Sequence, residues 1–142
     1  MGGSRRLILS VLLSALCGLI ASGCITPGKP AEEQDLLRTT EIYNKLMASH
    51  QFDKAISFVA SPYRAEFDAR SRKAQDLKIL DHRLVNAIYL KEKGEAHLVV
   101  EFEYYYVSSP RKQFYTDTQK WLYVVEEGSG AWRLASPFPA FP

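Results

Sequence analysis

Residues 96–107 constrain this chain more than any other stretch. Leu98, Val100, Phe102, Tyr104 and Tyr106 alternate with His97, Glu101 and Glu103. A period of two sustained over that length requires a strand with one covered and one wetter face, and therefore an antiparallel sheet. The neighbouring segments supply partners. Residues 77–90 carry Leu80, His82, Leu84, Asn86 and Ile88 at two-residue steps, and Lys91-Glu92-Lys93-Gly94 reads as a hairpin turn. After a turn at Ser108-Ser109-Pro110, residues 113–126 alternate again, with Trp121, Tyr123 and Val125 set against Leu122 and Val124. Glu127-Gly128-Ser129-Gly130 turns once more, residues 131–136 form a short fourth strand with Trp132 and Leu134, and Phe138 and Phe141 are placed to pack back on the sheet.

Upstream the period changes to that of a helix. In residues 32–49 the positions Leu36, Thr40, Tyr43 and Met47, flanked by Leu37 and Leu46, make one inward stripe. Glu32, Glu33 and Asp35 lie in the first turn, where the helix dipole favours negative charge. Residues 53–60 read as a short second helix capped by Asp53. Ser61-Pro62 opens a third, with Ser as cap and Pro where its missing N–H is harmless. Arg70, Arg72 and Lys73 close that helix. Helices followed by four antiparallel strands predict an α+β domain with the helices on one face of the sheet.

The chain begins with Arg5 and Arg6, an uncharged apolar run over residues 7–21, and the small residues Ser22 and Gly23 before Cys24. Positive, apolar, small is the order of a secretory signal, and the run is shorter than the roughly 20 residues that span a bilayer. Ala21-Ser22-Gly23-Cys24 resembles the lipobox of bacterial lipoproteins, although that family favours Leu where this chain has Ala21. The resemblance implies cleavage before Cys24, a diacylglycerol on its sulfur and an acylated amino group. Two or more acyl chains hold a protein on a membrane, whereas one is marginal. Ile25 and Thr26 after the cysteine, rather than Asp, imply the outer membrane facing the periplasm. The expected organisation is a signal peptide over residues 1–23, a lipidated cysteine with a Pro- and Gly-rich tether over 24–31, and one domain over 32–142.

Composition narrows the function classes. The 18 Lys and Arg include Arg5 and Arg6, while all 16 acids lie after Cys24, so the processed chain has 16 cations against 16 anions. No basic excess points to nucleic acid. Of the 2 cysteines, Cys17 lies in the signal and Cys24 is acylated, which leaves no thiol for a disulfide, a zinc site or a nucleophile. His50, His82 and His97 sit on separate elements and make no metal motif, and no cofactor is expected.

The long first helix, the short helix ending near Ser61-Pro62-Tyr63-Arg64, the run of meandering strands and the closing Gly130-x-Trp132-Arg133-Leu134 resemble the NTF2-like (cystatin-type) fold over residues 32–139. The resemblance implies a sheet curled into a cone around a pocket, used by some members for isomerase or dehydratase chemistry and by many for binding. His82, Asn86, Tyr104, Tyr106 and Asp117 are the candidate pocket residues. A buried Asp beside a tyrosine would suit proton abstraction. The first expectation is a non-enzymatic, membrane-anchored envelope protein that binds a protein partner or a small ligand. The alternatives are a small isomerase- or dehydratase-type enzyme, which needs an open cone, and an accessory subunit of an envelope assembly.

Overall fold

The computed structural model describes residues 31–142; the expected signal, Cys24 and the expected tether up to residue 30 lie outside the described residues, and Ala31, expected in the tether, opens the first helix. Helix α1 (Ala31–Ala48) is followed by a short helix α2 (Phe52–Ala55), a 3₁₀ turn (Ile56–Phe58) and helix α3 (Ser61–Lys73). Strands β1 (Leu77–Leu90), β2 (Glu95–Tyr106), β3 (Ser109–Glu126) and β4 (Ser129–Leu134) form one antiparallel sheet in the order β1-β2-β3-β4. The domain is thus α+β, with the helices on one face of a four-stranded antiparallel sheet, as the change of period predicts.

The inward stripe of α1 is buried as expected at Leu36, Thr40, Tyr43 and Met47, and Asn44 joins it. On β2 the buried set is Ala96, Leu98, Val100, Phe102 and Tyr104. Their partners on β3 are Trp121, Gln119, Asp117, Tyr115 and Gln113 in turn, so these five side chains share the inner face. The outer face is laced by cross-strand ion pairs, Arg83–Glu101 at 2.8 Å, Lys112–Glu103 at 2.8 Å and Lys120–Glu95 at 3.2 Å. Being exposed, each contributes little to stability.

Two start signals act differently from expectation. Gln51 rather than Asp53 precedes α2, and Asp53 lies inside its first turn. Residues 53–60 do not form one helix, because Val59 leaves it extended and pairs in parallel with Leu134 of β4. Ala60 rather than Ser61 is the residue before α3, with Pro62 in the first turn. The Ala60 N–H is used by the Leu134 carbonyl at 2.9 Å, which ties the helical layer to the edge of the sheet.

Strand β1 departs most from its sequence pattern. Register shifts between Ile79 and Asp81 and between Leu84 and Asn86 break the period twice. His82 and Leu84 face inward opposite Phe102 and Val100, but Asn86 pairs with Val99 and Ile88 with His97, on the outer face. The single face from Leu80 to Ile88 expected from the sequence is therefore split. β1 is also a sheet edge, and its bulges come with side chains that occupy edge amides. Asp81 Oδ1 accepts from the His82 N–H at 2.8 Å, and Asn86 Oδ1 accepts from the Ala87 N–H at 3.0 Å. Both devices blunt an edge that would otherwise template another strand.

After β4 the chain turns back across the inner face. Phe138 packs edge-on to Phe52 and Phe67 at 5.0 and 5.2 Å between ring centres. Phe141 meets Phe102, Tyr104 and Tyr115 at 5.7, 5.0 and 4.9 Å. Phe141 thus packs on the sheet as expected, whereas Phe138 packs against the rings of α2 and α3.

Candidate functional site

The inner face carries a polar line built from β3 and α1, buried at Asn44 and Gln119 and partly exposed at Asp117. Asp117, Gln119 and Trp121 follow at two-residue steps on β3. The Trp121 Nε1–H donates to Gln119 Oε1 at 3.1 Å, and Gln119 Nε2 donates to Asn44 Oδ1 of α1 at 2.8 Å. The Gln119 side chain also hydrogen-bonds the Asp117 carboxylate. Burial disfavours the charged carboxylate and pushes Asp117 up to about 6, with the Gln119 contact acting the other way. Above it lies the Tyr43 hydroxyl, buried and without a hydrogen-bond partner among the described residues. Burial first, and then the negative charge of Asp117, hold the Tyr43 hydroxyl well above its ordinary value. Tyr115 is raised for the same two reasons in the same order. A carboxyl near 6 between two tyrosines is an arrangement able to exchange a proton near neutral pH.

Tyr43 has no access to solvent, whereas Asp117 is partly exposed but has no cavity beside it. Tyr43, Phe67, Phe102 and Trp121 are 0% exposed and Phe138 is 2% exposed, so the inner face is filled by rings. Cavities of about 290, 240, 140 and 380 Å³ indent the described residues, and Asp117 lines none of these four.

The other candidate residues are dispersed. His82 is on the inner face of β1, its Nε2 3.3 Å from Glu41 Oε2, and its ring 6.5 Å from that of Phe102. Tyr104 is buried and its hydroxyl donates to the Pro142 carbonyl and to Gln113 Oε1, each at 3.4 Å. The Tyr106 hydroxyl donates to the Phe141 carbonyl at 3.2 Å. Both hydroxyls are thus held by the chain's own tail. Asn86 is corrected out of the set, because the second bulge of β1 turns it to the outer face, where it is exposed. On that face Glu95 pairs with His97 at 2.6 Å and with Lys120. Among the described residues no group of three His, Cys, Asp or Glu converges as a metal site would need.

Tyr43, Asn44 and Gln119 are the site residues that sequence reasoning missed. Asn44 gave a signal: it lies four residues after Thr40, a helical repeat that puts an amide among buried positions. Gln119 gave another, standing between Asp117 and Trp121 on the strand face that Trp121 assigns to the core.

No family model matches this chain, and no curated protein matches it. Among solved structures the chain is similar to one from Xanthomonas campestris pv. campestris described as a "putative polyketide cyclase", with 14% sequence identity and a TM-score of 0.48 over 74% of this chain and 90% of that one. A likeness of that degree assigns no activity.

Proposed function

We propose that this chain is a lipid-anchored envelope protein whose α+β domain binds a protein partner or a small ligand and performs no catalysis. The observation that carries the non-enzymatic part is the filled inner face. Of the residues that could move a proton, Tyr43 is fully buried, Asp117 is only partly exposed, and neither borders any of the four cavities. Anchoring rests on the Arg5-Arg6 start, the apolar run and Ala21-Ser22-Gly23-Cys24, with the outer membrane as the destination.

A second reading has one observation in its favour. Asp117, at about 6 beside a tyrosine, has the properties of a general base for an isomerase- or dehydratase-type reaction. It requires a substrate cavity at Asp117, which none of the four cavities reaches. An accessory role in an envelope assembly is the third form of the binding reading.

The test is the mass and location of the chain in its own membranes, wild type beside Cys24→Ala and Asp117→Asn. A mass of residues 24–142 plus acyl groups, lost together with membrane fractionation in Cys24→Ala, supports the anchor; a lipid-free mass overturns it. An Asp117→Asn strain that loses the wild-type phenotype while the protein stays at wild-type level overturns the non-enzymatic part.

A further inference from the structure

The aromatic tail does more than fill the inner face: with α3 it walls a cavity. The volume is about 290 Å³, and the walls include Ala74 and Leu77 where α3 passes into β1, Tyr106 at the end of β2, and Phe138 and Phe141 of the tail. Arg70 and Lys73, one turn apart on α3, also line it. The polar atoms that reach this space from inside are already used. The Arg70 guanidinium donates to the Phe138 carbonyl at 3.3 Å, and the Tyr106 hydroxyl donates to the Phe141 carbonyl. A sugar or nucleotide placed here would strand its own hydroxyls against rings, at about 1–3 kcal/mol for each unpaired group. The body of a suitable ligand is therefore apolar.

The rim adds a charge requirement. Lys73 is exposed and has no ion-pair partner among the described residues. The nearby acids are engaged: Glu66 pairs with Arg70, and the Asp76 carboxylate is held by the backbone N–H and hydroxyl of Ser108. The wider cavity between the start of α3 and the β3–β4 hairpin offers no such cation, since Arg133 there pairs with Glu126 at 3.2 Å. A volume near 290 Å³ stands at the low end for small-molecule sites, so the apolar body is compact, about the size of one or two fused rings.

We propose that the cavity between α3 and the C-terminal tail binds a compact apolar carboxylate, its rings or short acyl body against Leu77, Tyr106, Phe138 and Phe141 and its charge at Lys73. The inference deepens the binding reading above and rests on it. The cavity lies at the end of the sheet where β1 starts. The first turn of α1 lies at the other end, where Tyr89 and Trp132 bond Glu32. Nearly the length of β2 separates them, roughly 33 Å at about 3.3 Å per residue. A chain tethered through residues 24–30 would carry the cavity away from its membrane, and the ligand would arrive from water rather than from lipid.

The experiment is calorimetric titration of 2-naphthoate into the full chain in lipid nanodiscs, with empty nanodiscs as blank. Saturable one-to-one binding is expected. It should weaken about tenfold for the neutral 2-naphthalenemethanol and for Lys73→Glu, the loss of one charge contact or about 1.4 kcal/mol. It should vanish in Ala140→Trp, which places an indole at an exposed position on the cavity wall. Phe114→Ala, at an exposed ring on the outer face, should leave it unchanged. No saturable binding, equal affinity for the alcohol, or indifference to Ala140→Trp overturns the proposal. If the chain proves to carry no lipid, the same titration in plain buffer still decides the cavity, so the anchor and the ligand fail separately.

Discussion

Gln119 on β3 and Asn44 on α1 share a hydrogen bond of 2.8 Å in the buried layer between helix and sheet, across 75 residues of sequence. That bond fixes how α1 lies on the sheet, because sliding the helix by one residue would leave two buried amides without partners. Removing one partner is therefore worse than removing both. Asn44→Leu and Gln119→Leu should each lower stability by about 1–3 kcal/mol, the penalty of an orphaned buried polar group. The double variant should cost clearly less than the sum. Urea midpoints of the four proteins check it, and strict additivity would mean that the bond does not couple the two layers.

Asp117 gives the fold a pH signature. Its carboxyl is raised to about 6 from the ordinary 3.8, so the native state holds a proton that the unfolded chain has released in that interval. Its favourable contribution is complete below about 3.8 and is lost as pH rises through about 6. Asp117→Asn removes the dependence and keeps an acceptor for Gln119. The variant should match wild type near pH 3.5 and exceed it at pH 8 by on the order of 2–3 kcal/mol, with the gap opening between those limits. Glu41, Asp76 and Glu95 are lowered by their hydrogen bonds and act in the opposite sense, losing their contribution as pH falls. Because they are common to both proteins, the difference curve isolates Asp117; a flat curve refutes the assignment.

Tyr43 bears on the same pair from the other side. Its hydroxyl is fully buried without a partner among the described residues and faces the charge of Asp117. The ring still contributes, since it meets Trp121 edge-on at 5.5 Å and Phe67 at 6.5 Å. Tyr43→Phe keeps the rings and deletes the orphan, so stability should hold or rise by about 1 kcal/mol, measured as Tm. A loss of more than that would show that the hydroxyl has a partner.

These residues also mark what the sequence discloses. The inner faces of α1, β2 and β3 were legible because Leu36, Tyr43 and Met47, or Leu98, Val100 and Phe102, repeat without interruption and burial follows the period. Asp117 shares parity with Trp121 and so falls on the inner face opposite Val100, although it lines none of the four cavities. Asn86 was misplaced because a bulge inserts one residue and inverts every later side chain, and nothing in Leu84-Val85-Asn86 announces one. The tail was legible only in part. Phe138 and Phe141 were expected on the sheet, but that Phe141 would lie over Tyr104 and Tyr115 while Phe138 met Phe52 and Phe67 depends on where a proline-rich segment ends in space.

Gly130 supplies a last test, at the sheet's other end. It stands on β4 two residues before Trp132, and Tyr123 of β3 lays its ring across it, 5.3 Å from the Trp132 ring. A Cβ at position 130 would come within 2.0 Å of the Tyr123 hydroxyl oxygen, so no side chain fits unless the tyrosine moves. The Tyr123 ring is only partly buried and can swing outward, at the expense of its contact with Trp132. Gly130→Ala should therefore destabilise by about 1–3 kcal/mol, the usual range for overpacking. In a Tyr123→Ala background, where the ring is gone, the same substitution should be near neutral. The Trp132 Nε1–H donates to the Glu32 carbonyl at 3.0 Å, which makes this corner the seat of the first turn of α1. Hydrogen exchange in that turn should then accelerate in Gly130→Ala and recover in the double variant. Unchanged exchange would mean that the corner yields without disturbing the helix.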